Sequence, residues 1–155
     1  MAETDIRAST AADLDDVRAL FEEYAASLPF DLGFQAFARE LAELPGAYAP
    51  PRGALLIARH DGAAVGCVAL RPLGPETCEF KRLYVRPGAR GSGAGRRLTE
   101  RALDEARQMG YRRIRLDTLP GMEPAQALYL TLGFRDVPPY TPNPIAGARF
   151  LELAL

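Results

Sequence analysis

Residues 78–98 read Cys78-Glu-Phe-Lys-Arg-Leu-Tyr-Val85-Arg-Pro-Gly-Ala-Arg90-Gly-Ser-Gly-Ala-Gly95-Arg-Arg-Leu98. The first eight mix polar Glu79, Lys81 and Arg82 with apolar Phe80, Leu83, Tyr84 and Val85, as a strand does. From Leu98 the apolar residues recur at helical spacing (Ala102, Leu103, Ala106) up to Gly110, a residue suited to the position after a helix end. Between strand and helix, Gly91, Gly93 and Gly95 allow close backbone approach and positive φ. Several N–H groups and a helix N-terminus then converge on one spot, an anion site suited to phosphate. Two common nucleotide loops are excluded. A Walker loop needs Gly-Lys-Ser/Thr at the helix start, and Gly95 is followed by Arg96. A dinucleotide loop needs a third glycine three residues after Gly93 or Gly95, where Arg96 and Leu98 stand.

Working outward, residues 4–8 read as a first strand. Thr10 and Asp13 have capping-box spacing, and Leu14, Val17, Phe21, Tyr24 and Leu28 continue at helical spacing, predicting a helix over 11–27 ended by Pro29. Phe34, Phe37, Leu41 and Leu44 give a second apolar stripe, closed by Pro45-Gly46. After a loop at 47–53, strands at 54–59 and 63–70 flank His60-Asp61-Gly62, a hairpin signature. Residues 72–75 form a second turn into the strand at 78–85. Beyond the central helix come a strand at 113–118, a short helix at 124–132 closed by Gly133, a strand from 134 to 137, a proline-rich loop at 138–144 and a last strand at 149–155. Hairpin-linked strands followed by β-α-β units predict an α/β (α+β) domain with a mixed sheet and helices on its faces. No repeat, linker or second domain is visible, so 1–155 reads as one domain.

The 155 residues carry a net charge of −1, which argues against a nucleic-acid partner and against disorder. The balance is uneven along the chain. Residues 81–115 hold 11 basic and three acidic residues, a net of +8, and the remainder is −9. Of the 19 basic residues only Lys81 is lysine. Two cysteines, Cys67 and Cys78, lack the spacing of a redox or zinc pair and read as packing residues; one histidine, His60, builds no multi-histidine site, so no metal is expected. The start, MAETDIRAST, has acids and no apolar core, and no run approaches 18 apolar residues. A cytoplasmic protein without a membrane partner is the expectation.

The hexapeptide Arg90-Gly-Ser-Gly93-Ala-Gly95 is an R-x-x-G-x-G pattern. Here the sequence resembles the GNAT superfamily of acetyl-CoA-dependent N-acyltransferases, and more closely a bacterial subgroup of unassigned substrate. Leu83-Tyr84-Val85 resembles the end of the family's fourth strand, and Ala125-x-x-Leu128-Tyr129-x-x-x-Gly133-Phe134 its second motif. The likeness extends through Lys81–Val85 and Leu116-Asp117-Thr118-Leu119-Pro120. It implies a mostly antiparallel six- to seven-stranded sheet with about four helices, splayed at the fourth strand, and acetyl-CoA as cosubstrate. Leu83, Tyr84 and Val85 would meet the pantetheine arm, and Arg90, Gly91, Ser92, Gly93, Ala94, Gly95 and Arg96 the pyrophosphate, with Arg97 nearby. One departure is Met122, where the family often has asparagine.

The resemblance also implies the chemistry. Acyl transfer from a thioester to an amine needs a neutral amine and a protonated leaving thiolate. Tyr129 matches the family's general acid. Glu79, on the strand lining the acceptor site, is the candidate base, directly or through water; strand alternation puts it on one face with Lys81. For the acceptor, Lys81 and Arg82 with Arg149 are candidates for carboxylate recognition, and Tyr140 and Asn143 for a lid. The expected reaction is transfer to a primary amine of a small molecule, carboxylated or not, by a monomer or homodimer. A protein-lysine or N-terminal acetyltransferase and a non-catalytic acyl-CoA-binding module stay open.

Overall fold

The computed structural model describes residues 4–155, apart from the side chains of Phe34 and Gln35, so Phe34 of the second apolar stripe lies outside the described residues. Seven strands form one sheet in the order β1-β2-β3-β4-β5-β7-β6. They are β1 (Thr4–Ala8), β2 (Ala54–His60), β3 (Ala63–Pro72), β4 (Thr77–Val85), β5 (Arg113–Thr118), β6 (Arg135–Asp136) and β7 (Arg149–Ala154). Four α-helices accompany them: α1 (Leu14–Ser27), α2 (Phe37–Glu43), α3 (Ala94–Gln108) and α4 (Glu123–Thr131). All pairs are antiparallel except β4 with β5.

Each sheet face has its own core. Leu56, Val68, Leu70, Cys78, Phe80, Ile114 and Leu116 pack with Leu98, Ala102 and Ala106 of α3 and with Tyr129 of α4. The alternate residues Leu55, Ile57, Cys67, Ala69 and Tyr84 pack with Val17, Leu20 and Phe21 of α1. Period-2 alternation in the central strands thus feeds two cores. The helix read over 11–27 begins as a 3-10 turn at Ala11–Asp13, where Asp13 accepts from the Thr10 backbone N–H at 2.8 Å. Asp13 also takes Arg7 at 2.7 Å and Arg59 at 2.8 Å, which ties the entry of α1 to β1 and β2.

The second apolar stripe is less regular than its spacing implies. It breaks into a 3-10 turn at Leu32–Gln35 and the short α2, separated by Ala36 at φ +53. α2 has no fully buried residue; Phe37 and Leu41 lean on the α1-side core.

Two helix ends are closed by the same device. At α3, Tyr111 N–H reaches the Ala106 carbonyl (3.1 Å) and Gly110 N–H the Arg107 carbonyl (3.0 Å), with Gly110 at φ +88. At α4, Phe134 N–H reaches the Tyr129 carbonyl (3.0 Å) and Gly133 N–H the Leu130 carbonyl (3.1 Å), with Gly133 at φ +102. Both are Schellman motifs. The second brings the Phe134 ring to 5.7 Å from Tyr129.

Candidate active site

The site is an opening between parallel neighbours. β4 and β5 pair only over Thr77–Glu79 with Arg113–Arg115 and then diverge. On its other edge β4 carries an extra residue. Cys67 faces Tyr84 and Ala69 faces Lys81, so Arg82 and Leu83 together oppose Val68. That is a β-bulge, and its first residue, Arg82, sits at φ +64, uncommon for a residue with a side chain. The bulge breaks alternation. Lys81 and Arg82 are both drawn toward the α1–α2 side, while Leu83 and Val85 join the α3 core.

Arg82 is buried, and Glu40 of α2 grips its guanidinium through two bonds of 2.8 and 2.9 Å. The Phe37 ring lies 5.1 Å and the Tyr24 ring 5.9 Å from its central carbon. Burial opposes the charge, but the Glu40 hydrogen bonds and the surrounding groups more than compensate and raise the Arg82 pKa. Arg82 is therefore a structural cation in this geometry, and Arg149 is engaged with Asp136 at 2.9 Å and with Gln126 at 3.2 Å. The expected three-residue carboxylate anchor is not assembled.

Leu83 lines two cavities. The larger, about 730 Å³, is walled by Leu83, Tyr84 and Val85 of β4, by Arg90, Gly91 and 93–96 of the loop, and by Met122, Ala125 and Leu128 on the α4 side. Gly93, at φ +86, turns the chain into α3, whose first N–H groups have no intrahelical partner. Arg90 is anchored by its Nε to the Val85 carbonyl (3.0 Å) and lies 5.8 Å from the Tyr84 ring. This long cleft, apolar along its sides with a glycine loop and two arginines on one wall, suits a chain ending in phosphates. Of the expected cofactor contacts, Ser92 and Arg97 do not line this cleft: the Ser92 hydroxyl donates to Ala89 O at 2.6 Å, and both residues border a separate groove.

The smaller cavity, about 30 Å³, lies between the splayed strands and is lined by Tyr24, Lys81, Arg82, Asp117 and Tyr129 among others. Tyr129 is buried against Phe80 (5.6 Å) and Phe134, and burial holds its phenol protonated well above neutral pH. Burial lowers the Lys81 pKa against the opposing pull of Glu79. Glu79 is fully buried; one oxygen accepts from Arg71 Nε at 2.7 Å and the other from the Tyr140 hydroxyl at 2.6 Å. Asn143 donates to Asp117 at 3.0 Å. The proline-rich loop at 138–144 is thus a strap pinned at two carboxylates, Glu79 on β4 and Asp117 on β5, the second of which lines the small cavity.

Tyr24, Glu40, Arg71 and Asp117 were assigned no role by the sequence. Arg71 faces Glu79 across a β3–β4 connection centred on Pro75, whereas a hairpin centred on the expected turn at 72–75 would have paired Arg71 with Glu76. Asp117 is the one acid of β5, on the polar side of an alternating strand. Nothing local points to Tyr24 or Glu40.

A sheet opened between parallel neighbours, with a glycine loop on one side of the opening and a buried tyrosine on the other, defines an N-acyltransferase. The family model of the acetyltransferase (GNAT) family matches residues 16–134, and the chain belongs to that family. An uncharacterized N-acetyltransferase of Schizosaccharomyces pombe is 42% identical over 145 residues, covering 92% of this chain and 89% of its own. An acetyltransferase of GNAT family from Staphylococcus aureus superposes with a TM-score of 0.80 at 19% identity, covering 98% and 99% of the two chains. A putative acetyltransferase from Salmonella typhimurium, solved with acetyl-CoA, superposes at 0.71 with 20% identity over 97% and 93%. Among the described residues no helix is long and apolar enough to cross a membrane.

Proposed function

We propose that the protein transfers an acetyl group from acetyl-CoA to the primary amine of a small molecule, by direct attack while both are bound. The observation that carries this reading is the small cavity between β4 and β5, which Tyr129 lines and which shares Leu83 with the long cleft. The strap tied at Glu79 and Asp117 covers the acceptor side, which favours a compact acceptor over a protein chain.

Acetyl-CoA supplies an activated thioester; the chain's residues do the rest. The glycine loop and the α3 N-terminus hold the pyrophosphate, aided by Arg90 and Arg96. Leu83, Tyr84 and Val85 flank the pantetheine arm, and main-chain N–H groups at the bulge polarise the thioester carbonyl. Tyr129 donates its proton to the departing sulfur. Glu79 draws the amine's proton through the Tyr140 hydroxyl that already bonds to it.

Thiol release from acetyl-CoA, measured across a panel of small amines, tests the reading. Amine-dependent release with an acetylated amine in the mass spectrum supports it. Release only in the presence of proteins or peptides would move the assignment to a protein acetyltransferase, and coenzyme A binding without release to a non-catalytic module.

A further inference from the structure

The small cavity follows the long cleft along each of its walls. On β4 the cleft is bordered by Val85, Tyr84 and Leu83, and the cavity by Leu83 back to Phe80. On α1, Ser27 borders the cleft and Tyr24, about one turn earlier, the cavity. On the β5 side Pro120 gives way to Leu119 and Leu116, and on α4 Leu128 gives way to Tyr129. A pantetheine arm lying along Leu83–Val85 with its phosphates at the glycine loop therefore points its acyl end at this cavity.

The cavity has two unlike sides. Phe80, Leu116 and Tyr129 belong to the core under α3 and α4, and Leu119 is buried as well. Lys81 and Arg82 are drawn to the α1–α2 side by the bulge, and Asp117 alternates with buried Leu116 onto that same side. The apolar floor is stiff. The Phe80 ring stands edge-on to Tyr129 at 5.6 Å, and Tyr129 lies 5.7 Å from Phe134. Rings packed in this way do not step aside cheaply for an extra carbon. A longer acyl group can grow only toward the polar side, where the amine has to come.

The volume of the cavity, about 30 Å³, holds about two water-sized groups at roughly 10–15 Å³ each. An acetyl group brings one, its methyl, because its carbonyl oxygen turns to the N–H groups of the bulge. The attacking nitrogen is the other. Resting on the thioester and the amine meeting at Tyr129, as proposed above, we infer that Phe80 closes the floor of an acyl pocket that limits the transferred group to two carbons. A propionyl chain fits alone but takes the place of the amine. A butyryl chain exceeds the pocket.

Acetyl-, propionyl- and butyryl-CoA are compared in two assays, calorimetric binding without amine and thiol release with a panel of small amines. Acetyl- and propionyl-CoA should bind within a few-fold of each other, and butyryl-CoA at least about 10-fold more weakly. Transfer should fall one carbon earlier, with kcat/KM for propionyl-CoA about 10- to 200-fold below that for acetyl-CoA. Phe80→Leu should raise the propionyl-to-acetyl ratio of kcat/KM at least about 10-fold, a ratio that does not depend on how much of the variant is folded. Leu119→Ala enlarges the same floor and should move the ratio likewise, which covers a Phe80 variant that fails to fold. Equal binding of all three, equal transfer from acetyl- and propionyl-CoA, or a ratio unmoved in both variants overturns the inference. The binding ladder without transfer from any acyl-CoA would uphold the pocket and refute the transferase reading, and no binding of any of them would refute both.

Discussion

Glu40→Ala leaves the Arg82 guanidinium without its partner at a place where the arginine side chain is only 2% exposed. Stripping one member from a buried ion pair costs about 3–5 kcal/mol if nothing moves. Here something can move. α2 holds no fully buried side chain and rests on the core through Phe37 and Leu41. Releasing two half-buried apolar side chains costs about 2–3 kcal/mol, less than stranding the charge. The expected loss is therefore capped at about 2–3 kcal/mol, with α2 detaching and water reaching Arg82. For a chain of this size that is a fall in Tm of roughly 4–12 °C. Thermal melting gives the total, and hydrogen exchange shows protection lost in residues 37–43 while α3 is unchanged. Glu40→Leu combined with Arg82→Met, which removes both charges, should recover most of the stability. A Tm within about 2 °C of wild type with α2 still protected would refute the argument.

Tyr129→Phe should lower kcat about 10²- to 10⁴-fold with coenzyme A affinity nearly unchanged; because burial raises the phenol's pKa, the wild type should show no basic limb from this group between about pH 6 and 9. Gly66→Ala would set its Cβ 2.8 Å from the Tyr84 carbonyl oxygen and 3.1 Å from Leu98, and should cost about 1–3 kcal/mol in a thermal melt, because a backbone atom cannot step aside. The Asp13 carboxyl is held far below its usual range by Arg7 first, then by the Thr10 N–H and Arg59. A depressed carboxylate pKa gives stability that is present above about pH 4 and lost as pH falls further. Asp13→Asn should therefore lower Tm by about 2–6 °C at neutral pH and by less in acid; an equal deficit at both would refute the linkage.

The strand–loop–helix core was legible because each level agreed. Gly93 marks the start of α3 and Gly110 its end, both at positive φ. The turn residues around 60–62 and 72–75 delimit β3. What the sequence hid was set by tertiary pairing. The position of the bulge depends on which β3 residue meets which β4 residue, and Lys81-Arg82 looks like two consecutive polar residues on opposite faces until Val68 is seen opposing both Arg82 and Leu83. Glu79 looked free because its two partners come from across the turn and from the strap. α2 was over-read because spacing alone does not reveal that Ala36 breaks the helix at positive φ.

The single extra residue at the bulge sets two design goals against each other. A β4 shortened by one, without Arg82, would regain strict alternation, and a β4 and β5 hydrogen-bonded over their whole length would make a more regular, better satisfied sheet. That sheet would have no gap for a thioester to enter and no reason for α2 to dock. Selection for thermal stability alone should therefore favour closing this seam, and variants recovered that way should melt later while losing turnover and coenzyme A binding together.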